Sequence, residues 1–417
     1  MDKLVIEGGR ELKGEVRIAG AKNAALPLMA AAILAPGRTM LRNVPDLADV
    51  GTMASVLEGL GLEIDRQQDA MALDATTITS DTAPYELVKT MRASFYALGA
   101  LIGRLGRATV SLPGGCAWGP RPVDIHLKGL EALGVKTQLD KGYIVADARK
   151  MRGNRFVLDF PSVGASVNLL LAAVAAKGET VLENVAREPE VTNLALMLMA
   201  MGAPIEGAGT TTLHIEGGHT LNGVEFSVIP DRIEAGTYLA AVGRAGGDVT
   251  LAGVHPDHLS IILDRSVEAG MKIAVKQDRI RVQSTGRLKA VDIQTEVFPG
   301  FATDMQAQWI AMMTGAEGSS LIEDTIYPDR FTHVPELIRL GANIIMRDNI
   351  AKVTGPTKLV GAQVMSTDLR ASASLVIAAL AAKGRTDISR IYHLDRGYER
   401  LEEKFASLGA KIWREEE

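Results

Sequence analysis

Residues 57–64 read LEGLGLEI, in which a helix-like apolar run is closed by Gly61 and followed at once by a strand-like run. Glycine commonly follows the last helical turn, because it adopts the left-handed backbone conformation without steric cost. The pattern returns five times in this chain of 417 residues, as LEALGVKT, LMAMGAPI, VEAGMKIA, LIRLGANI and FASLGAKI. The closing glycines are Gly61, Gly134, Gly202, Gly270, Gly341 and Gly409. Their spacing of about 70 residues is too long for a solenoid and predicts a repeated subdomain.

A second series of segments keeps step with the first and marks the start of a strand in each repeat. It reads PGRTML, LGRATV, KGETVL, GGDVTL, EGSSLI and KGRTDI, and each segment follows a helix-like run. Each repeat therefore predicts a helix, a strand, a second helix and then one or more strands. Such alternation is typical of α/β architecture with parallel crossovers.

The first helix of most repeats has almost no polar face. The runs ALPLMAAAIL, VNLLLAAVAA, TYLAAVGRA, MQAQWIAMM and LVIAALAA are apolar nearly all round, and such a helix must be buried. The second helices, such as HLKGLEALG and PELIRLG, are more amphipathic. We therefore expect buried helices inside and sheets outside, the reverse of the usual α/β barrel.

Composition and charge exclude several classes of protein. The chain is 47% hydrophobic and 23% charged with a net charge of −5, which is globular in character and argues against a nucleic-acid partner. One cysteine leaves no disulfide framework. The N-terminus is charged where a signal peptide is apolar, and the apolar runs are too short to cross a membrane. No P-loop, dinucleotide or zinc motif is found. We expect a cytoplasmic protein of two or three domains.

The loops that open the helices carry polar residues at equivalent positions of the repeats. An aspartate there acts readily as a helix cap, and Asp304 suits a cap, a base, or both. Arginines need another explanation, since a cation is unfavourable at a helix N-terminus. Equivalent loops emerge at one end of a domain, so we expect a converging set of cations, namely Lys22, Arg121, Arg330, Arg370 and Arg396. Guanidinium groups suit carboxylate and phosphate oxygens.

Residues 111–126 read SLPGGCAWGPRPVDIH and contain the single cysteine of the chain, Cys116. A lone cysteine is usually a small buried hydrophobe, but glycine, proline and arginine neighbours are typical of a surface loop. Pro122 and Asp124 suit the first turn of a helix, whose N-terminus is a ready anion site. We expect a mobile loop that brings a thiol and Arg121 to the start of a helix.

This loop resembles the active-site loop of the UDP-N-acetylglucosamine enolpyruvyl transferases, a branch of the EPSP synthase-like enolpyruvyl transferase family. The similarity extends over essentially the whole chain. The resemblance implies two inside-out α/β barrel domains, each of three repeated βαβαββ-type units. One domain would span residues 22–229 and carry the Cys116 loop, and the other would combine residues 1–21 with 230–417.

The resemblance also implies a reaction and a set of site residues. Family members transfer the enolpyruvyl group of phosphoenolpyruvate to the 3′-hydroxyl of UDP-N-acetylglucosamine and release phosphate, without cofactor or metal, in peptidoglycan precursor synthesis. Cys116 would be the general acid and Asp304 the base. The residues expected around phosphoenolpyruvate are Lys22, Asn23, Arg121, Arg330, Arg370 and Arg396. Those expected around UDP-N-acetylglucosamine are Arg92, Arg121, Pro122, Val123, Asp124, Phe160, Pro161, Ser162, Val163, Gly164, Asp304 and Ile326. Asp231 and Asp368 are further expected site residues.

Two positions depart from the family pattern, and three other interpretations stand beside it. Phe160 occupies a place where the family often has lysine, and Trp118 one that usually holds a smaller apolar residue.

A sister enzyme acting on shikimate 3-phosphate shares the fold but lacks the PGGC loop. A nucleotide-sugar sensor would have lost Cys116 or Asp304, and an RNA-end-processing enzyme is disfavoured by the acidic net charge. We expect a monomer whose two domains close on the nucleotide sugar.

Overall fold

The computed structural model describes residues 2–88, 91–112 and 123–416. The chain forms two compact units, of which one combines Met1–Ala19 with Pro230–Glu417 and the other is Gly20–Ile229. Each unit has a hydrophobic core of its own, and the two cores have no residue in common.

The N-terminal segment contributes two strands, and Gly20–Ile229 contributes the next elements. The N-terminal strands are β1 (Asp2–Glu7) and β2 (Leu12–Arg17). The strands of Gly20–Ile229 are β3 (Arg38–Arg42), β4 (Glu63–Gln67), β5 (Ala70–Asp74), β6 (Thr82–Ala83), β7 (Arg107–Ser111), β8 (Lys136–Asp140), β9 (Tyr143–Asp147), β10 (Arg155–Val157), β11 (Gly178–Glu183), β12 (Ile205–Glu206), β13 (Thr212–Gly217) and β14 (Glu225–Ser227). Its α-helices are α1 (Lys22–Ala31), α2 (Ala48–Leu60), α3 (Tyr85–Val88), α4 (Ala97–Leu105), α5 (Asp124–Ala132), α6 (Val163–Ala173) and α7 (Pro189–Ala200).

The remaining elements belong to the unit that contains both ends of the chain. Its further strands are β15 (Gly247–Ala252), β16 (Lys272–Lys276), β17 (Arg279–Ser284), β18 (Leu288–Lys289), β19 (Ile293–Gln294), β20 (Ala316–Glu323), β21 (Asn343–Arg347), β22 (Ile350–Gly355), β23 (Gln363–Met365), β24 (Arg385–Ser389) and β25 (Lys411–Glu416). Its α-helices are α8 (Arg232–Ala245), α9 (Ser260–Glu268), α10 (Gln306–Met313), α11 (Val334–Arg339), α12 (Leu369–Ala381) and α13 (Leu401–Ser407). Short 3₁₀ helices in the two units span Ala32–Leu34, Arg92–Tyr96, Pro256–Leu259, Thr303–Met305 and Ile391–Arg396.

Each repeat places its strands in one small sheet with a common order. In the sheet β10-β11-β13-β12, strands β10 and β11 are parallel and are joined through α6, whereas β11, β13 and β12 are antiparallel. The sheets β6-β7-β9-β8, β2-β15-β17-β16 and β18-β20-β22-β21 repeat this order. The repeat pattern predicts parallel crossovers, but the last two strands of the first five repeats form a hairpin. Between β8 and β9 only Lys141 and Gly142 intervene, with φ of +47° and +84°, and so short a connection permits only antiparallel neighbours.

Three sheets are completed by a strand from a distant part of the chain, and in one of them β2 pairs in parallel with β15. Strand β14, at the end of Gly20–Ile229, pairs in parallel with β3 near its beginning. Strand β1 lies between β24 and β25 and is antiparallel to both. In this last sheet β1 takes the place that the second hairpin strand has elsewhere. The three repeats of each unit are therefore tied into a closed set.

The helices that open the repeats form the interior, as predicted. Helix α8 is buried from Arg232 to Gly243 and α12 from Arg370 to Leu380, and α8, α10 and α12 pack against one another. The fold class is confirmed: each unit is an α/β structure of three repeats with buried helices inside and sheets outside. Along the described ranges, no helix has the length and apolar character needed to cross a bilayer.

The six closing glycines mark the ends of the second helices, as predicted. All six have positive φ, between +84° and +110°. They follow α2, α5, α7, α9, α11 and α13. A residue with a Cβ is strained in this conformation, and glycine removes that strain at the turn from helix to strand.

Helices α4 and α6 lie very close together at Gly99. The Gly99 N–H donates to Asn168 Oδ1 at 2.8 Å, and a Cβ on Gly99 would lie 2.3 Å from the Asn168 carbonyl oxygen. Gly51 in α2 offers a contrast, because it is exposed and a Cβ there would meet nothing within 4 Å. Both glycines therefore lie within α-helices, but in opposite environments.

We predict that Gly99→Ala lowers the free energy of unfolding by about 1–3 kcal/mol, because the added methyl group meets backbone that cannot move aside. Gly51→Ala should instead raise it by roughly 0.5–1 kcal/mol, since alanine is the better helix former and space is open. Denaturant unfolding of both variants and the parent measures the two changes. Changes of equal sign and size would contradict the close packing of α4 on α6.

Candidate active site

Three predicted site residues meet at the starts of the buried helices in the unit that contains both chain ends. Asp304 lies in the 3₁₀ helix that leads into α10, Arg370 is the second residue of α12, and Arg330 precedes α11. Arg330 Nη1 donates to Asp304 Oδ1 at 2.8 Å. Arg370 donates to Asp304 Oδ2 through Nη2 at 3.1 Å and Nε at 3.3 Å. One carboxylate therefore holds two guanidinium groups.

This cluster is more buried than its charge would suggest. The side chains of Arg370, Arg330 and Asp304 are 2%, 10% and 25% exposed. Burial by itself lowers the pKa of Arg370, but Tyr398, Asp304 and Asp231 raise it by more, so that its pKa lies above the ordinary value. Burial likewise lowers the pKa of Arg330, and Asp304 with Asp368 more than offsets this. Both arginines are permanent cations.

One N–H group of Arg370, Nη1, is not hydrogen-bonded to Asp304. Its Nη1 atom is buried and has no hydrogen-bond partner within residues 2–88, 91–112 and 123–416. A buried guanidinium nitrogen without an acceptor is costly. Arg370 therefore has one N–H group left for a further acceptor, in addition to the two that bind Asp304.

Aspartate caps set the starts of two buried helices. Asp368 Oδ1 accepts from the backbone N–H groups of Arg370 and Ala371 at 2.9 and 3.1 Å. Asp231 Oδ1 accepts from Ile233 and Glu234 at 2.8 and 3.0 Å. Each cap satisfies helix donors that would otherwise be unpaired. The Asp368 cap also determines where Arg370 leaves the helix.

A buried aspartate that the sequence interpretation missed, Asp324, organises the loop before Arg330. Its Oδ1 accepts from the backbone N–H of Ile326 at 3.0 Å and of Tyr327 at 2.8 Å. Its Oδ2 accepts from the hydroxyl of Thr303 at 2.7 Å, next to Asp304. Asp324 thus connects the predicted residue Ile326 to the Asp304 segment. Its signal was an aspartate directly after a strand, which is typical of a side chain that closes a turn.

Lys22 in the unit Gly20–Ile229 binds a partner that was also missed. It is the first residue of α1, and its Nζ lies 3.2 Å from Oδ2 of Asp49 in the first turn of α2. Both side chains are largely buried. Asn23 follows Lys22 in α1 and is half-buried. Extending the alignment of second-helix loops to the first repeat would have indicated Asp49.

The start of α6 carries the predicted segment 160–164. Ser162 caps the helix by accepting from the Ala165 N–H at 3.3 Å. A Cβ on Gly164 would lie 3.2 Å from the ring of His126. His126 is buried and shares a 3.0 Å hydrogen bond between its Nδ1 and Asn168 Nδ2. The imidazole of His126 therefore packs against the start of α6. The sequence interpretation did not select this histidine.

The other predicted acceptor residues are less enclosed. Phe160 is exposed, whereas Pro161 and Val163 are half-buried. Val123 precedes α5 and Asp124 opens it, with Asp124 exposed 3.8 Å from the ammonium of Lys128.

Arg396 ends the 3₁₀ helix Ile391–Arg396 and is half-buried. Its neighbour Asp395 is held by Arg414 of β25, whose Nη2 lies 2.6 Å from Asp395 Oδ1. The Nε of Arg414 also donates to Glu402 at 2.5 Å. A guanidinium that was not predicted therefore ties the Arg396 segment to the last strand.

Some predicted residues lie outside the described part of the chain. Cys116, Arg121 and Pro122 fall within residues 113–122, and so does Trp118. Arg92 begins the 3₁₀ helix Arg92–Tyr96, but its side chain lies outside the described part. Their roles stay predictions. Among the described residues, no group of three or more His, Cys, Asp or Glu side chains could hold a metal ion.

Comparisons with known proteins indicate the same family over almost the whole chain. Residues 6–405 match the family described as EPSP synthase (3-phosphoshikimate 1-carboxyvinyltransferase). The chain is 52% identical over 415 residues to the UDP-N-acetylglucosamine 1-carboxyvinyltransferase of Trichlorobacter lovleyi, with 99% of each chain covered. The crystal structure of the enolpyruvyl transferase NikO from Streptomyces tendae is similar with a TM-score of 0.90 at 28% identity, covering 99% of this chain and 98% of that one. EPSP synthase from Acinetobacter baumannii shares the fold, with a TM-score of 0.74 at 17% identity over 100% of both chains.

His333 lies three residues after Arg330 and makes the stability of the fold depend on pH. Burial, and secondarily the charge of Arg330, lowers the pKa of His333 from 6.5 to about 3. In the described structure its Nε2 has no hydrogen-bond partner. The imidazole is therefore neutral in the folded protein at pH values where it is charged in the unfolded chain.

We predict that His333 destabilises the fold as the pH falls from 6.5 to about 3. In that window the unfolded chain binds the proton and the folded chain does not, so stability decreases by up to about 1.4 kcal/mol per pH unit. His333→Gln should flatten this part of the pH profile in denaturant unfolding. His214→Gln, at a half-exposed position on β13, is the matched control and should change it little. Identical profiles for the parent and His333→Gln would contradict the assignment.

Proposed function

The chain belongs to the EPSP synthase family of enolpyruvyl transferases, and we propose that it transfers the enolpyruvyl group of phosphoenolpyruvate to the 3′-hydroxyl of UDP-N-acetylglucosamine. The similarity over almost the whole chain to a relative with that activity in its name carries the proposal. The buried cluster of one carboxylate and two arginines supports it, because the donor has both a carboxylate and a phosphate.

Arg330 and Arg370 are two of the residues proposed to bind phosphoenolpyruvate. Guanidinium groups present parallel N–H donors that match carboxylate and phosphate oxygens. In the structure they share Asp304, and Arg370 Nη1 is unpaired within the described chain. An oxygen of phosphoenolpyruvate would supply the hydrogen-bond acceptor that Nη1 lacks. Lys22, Asn23, Arg121 and Arg396 are proposed as the other donor ligands.

The reaction needs one base and one acid. In the addition step, the 3′-oxygen bonds to C2 of phosphoenolpyruvate, Asp304 accepts the hydroxyl proton and Cys116 donates a proton to C3. In the elimination step, the Cys116 thiolate takes a proton back from C3, the bond from C2 to the phosphate oxygen breaks as Asp304 returns its proton to the leaving phosphate, and the double bond returns. Cations around the carboxylate and phosphate stabilise the charge that develops at C2. Phosphate and the enolpyruvyl ether are the products.

The start of α6 is the proposed site for the diphosphate of the acceptor. Its first backbone N–H groups point outwards from a helix that is otherwise buried, and the helix dipole favours an anion there. Gly164 has no side chain between this helix start and His126. Phe160 cannot supply the cation that the family often has at this position, so backbone donors carry more of the interaction. The remaining proposed acceptor ligands are Arg92, Arg121, Pro122, Val123, Asp124, Pro161, Ser162, Val163, Asp304 and Ile326.

The proposal includes a place and a state of assembly. We propose that the enzyme acts in the cytoplasm, where both substrates of peptidoglycan precursor synthesis are available. We also propose that it works as a monomer, with the predicted domains, residues 22–229 and residues 1–21 with 230–417, as its two halves.

The proposed activity is tested by mixing the purified protein with phosphoenolpyruvate and UDP-N-acetylglucosamine. We expect stoichiometric release of phosphate and a nucleotide sugar whose mass has increased by one enolpyruvyl group. Replacing the acceptor by shikimate 3-phosphate should abolish phosphate release. Cys116→Ala should retain the fold and lose most turnover, since it removes the proposed acid. Turnover with shikimate 3-phosphate instead would assign the chain to the sister activity.

We predict that Arg330→Ala and Arg370→Ala each lower kcat/KM for phosphoenolpyruvate by about 2–3 kcal/mol, that is roughly 30- to 160-fold. The cause is loss of a charge-assisted hydrogen bond to the donor. The KM for UDP-N-acetylglucosamine should change much less. Steady-state kinetics at varied donor concentration give these values, and thermal unfolding shows whether each variant is folded.

Arg281→Ala provides the matched control, because Arg281 lies on the exposed face of β17 in the same unit and pairs with Asp248 there. Arg370→Lys keeps a buried cation where Arg370→Ala could disturb the core. Donor kinetics that stay unchanged in every cluster variant would remove Arg330 and Arg370 from the donor site.

A further inference from the structure

A hydrogen-bonded group of three buried side chains includes the tyrosine that lies against Arg370. Tyr398 Oη and Thr237 Oγ1 are 2.9 Å apart. Gln308 Nε2 lies 3.3 Å from each of these oxygens. The three residues are almost fully buried and come from α8, α10 and the segment between α12 and α13. Polar groups at the centre of an apolar helix bundle are costly unless they are arranged to satisfy one another.

Counting protons determines the direction of each hydrogen bond. Thr237 has one hydroxyl proton, and it donates to the Ile233 carbonyl oxygen at 2.8 Å, one helical turn earlier. The contact to Tyr398 must then be donated by the phenol. Burial raises the pKa of Tyr398, so the phenol keeps its proton for this bond. The amide of Gln308 donates to the Tyr398 oxygen. The phenol therefore both donates and accepts a hydrogen bond, which restricts the orientation of its ring.

The guanidinium group of Arg370 lies over the face of the Tyr398 ring. The guanidinium carbon of Arg370 lies 5.4 Å from the centre of the Tyr398 ring. A cation in this position is attracted to the ring, and more strongly where water is excluded. Arg370 has only Asp304 as a charged hydrogen-bond partner within the described residues. The position of the guanidinium plane therefore depends on the carboxylate at one side and on the ring beneath it.

We propose that Tyr398 is a positioning residue for Arg370. Thr237 and Gln308 hold its hydroxyl, and the ring holds the guanidinium in the orientation that binds Asp304 and leaves Nη1 available to the donor. This inference rests on the proposed function, because it assigns Arg370 to the donor. Tyr398 itself does not contact the reacting atoms in this scheme.

Tyr238 shows that the hydroxyl, and not the phenyl ring alone, distinguishes Tyr398. It is adjacent to Thr237 in α8, is fully buried and packs against Phe405 with ring centres 4.7 Å apart. Its hydroxyl has no hydrogen-bond partner among the described residues. The same change, from tyrosine to phenylalanine, therefore removes an engaged hydroxyl at one position and an unengaged hydroxyl at the other.

The test compares Tyr398→Phe with Tyr238→Phe as the matched control. Tyr398→Phe should lower kcat/KM for phosphoenolpyruvate about tenfold, the effect of one buried hydrogen bond. Most of the change should be in the KM for this substrate, with the KM for UDP-N-acetylglucosamine unchanged. Tyr238→Phe should have the kinetics of the parent. Thermal unfolding of both variants separates this effect from loss of stability.

Variants at Thr237 test the chain of contacts. Thr237→Val removes the acceptor for the Tyr398 hydroxyl and should reproduce the kinetics of Tyr398→Phe, whereas Thr237→Ser keeps a hydroxyl and should restore most of the activity. The double variant Tyr398→Phe/Thr237→Val should be no worse than either single variant, since both break the same bond.

Binding of phosphoenolpyruvate, measured by calorimetry, separates failure of the positioning role of Tyr398 from failure of the proposed function. Weaker binding in Tyr398→Phe, with parent-like binding in Tyr238→Phe, supports the positioning role even if the parent does not turn over the proposed acceptor. Donor kinetics and binding that are unchanged in Tyr398→Phe, or reduced equally in Tyr238→Phe, overturn the inference while the proposed function stands. A parent that neither binds nor consumes phosphoenolpyruvate overturns both.

Discussion

Most repeats contain a helix with almost no polar face, and the need to keep that helix out of water constrains the rest of the structure. Helices such as α8 and α12 are buried along almost their whole length. A sheet has one face to offer to a core, so the small sheets lie around the helices and turn their other face to solvent. The buried helices cannot carry charged groups along their sides without cost. Charged residues are therefore concentrated at the helix starts.

The site residues follow from this constraint. Asp368 and Asp231 cap buried helices, and the same starts bring Arg370 close to Asp304. Because water is largely excluded, the attraction between the arginines and the carboxylate is stronger than at a surface. The same exclusion makes an unpaired donor such as Arg370 Nη1 costly. The protein thus keeps cations ready for an anion at a place where a simple apolar core would be more stable.

The group of Tyr398, Thr237 and Gln308 is an exception to the apolar character of the buried helices. Thr237 and Gln308 stand on α8 and α10 among alanine, leucine and methionine, and each would be unfavourable there alone. Together with Tyr398 they satisfy most of one another's hydrogen bonds. Such a group specifies one arrangement of the helices, whereas apolar side chains tolerate several. Arg370 lies directly against it.

Local patterns in the sequence were sufficient for the elements and for much of the site. Glycine at the end of a helix and an apolar run of helical length depend on neighbours in the chain, and so Gly61 and its five equivalents, the buried helices and the caps Asp231 and Asp368 could be predicted. Asp304, Arg330 and Arg370 were selected because equivalent loops of a repeat share one end. Contacts between distant residues were a different matter. The pairing of Lys22 with Asp49, the hold of Asp324 on Thr303 and the approach of Tyr398 to Thr237 leave no periodic pattern. The same is true of β1 and β14, which complete sheets formed by strands far along the chain. The sequence by itself determined which segments are helices, which of them are buried and which ends carry charge, since these depend on local hydrophobicity and backbone preference. Only the tertiary structure decided which charges meet, because that depends on how the packed helices bring residues together that the chain keeps far apart.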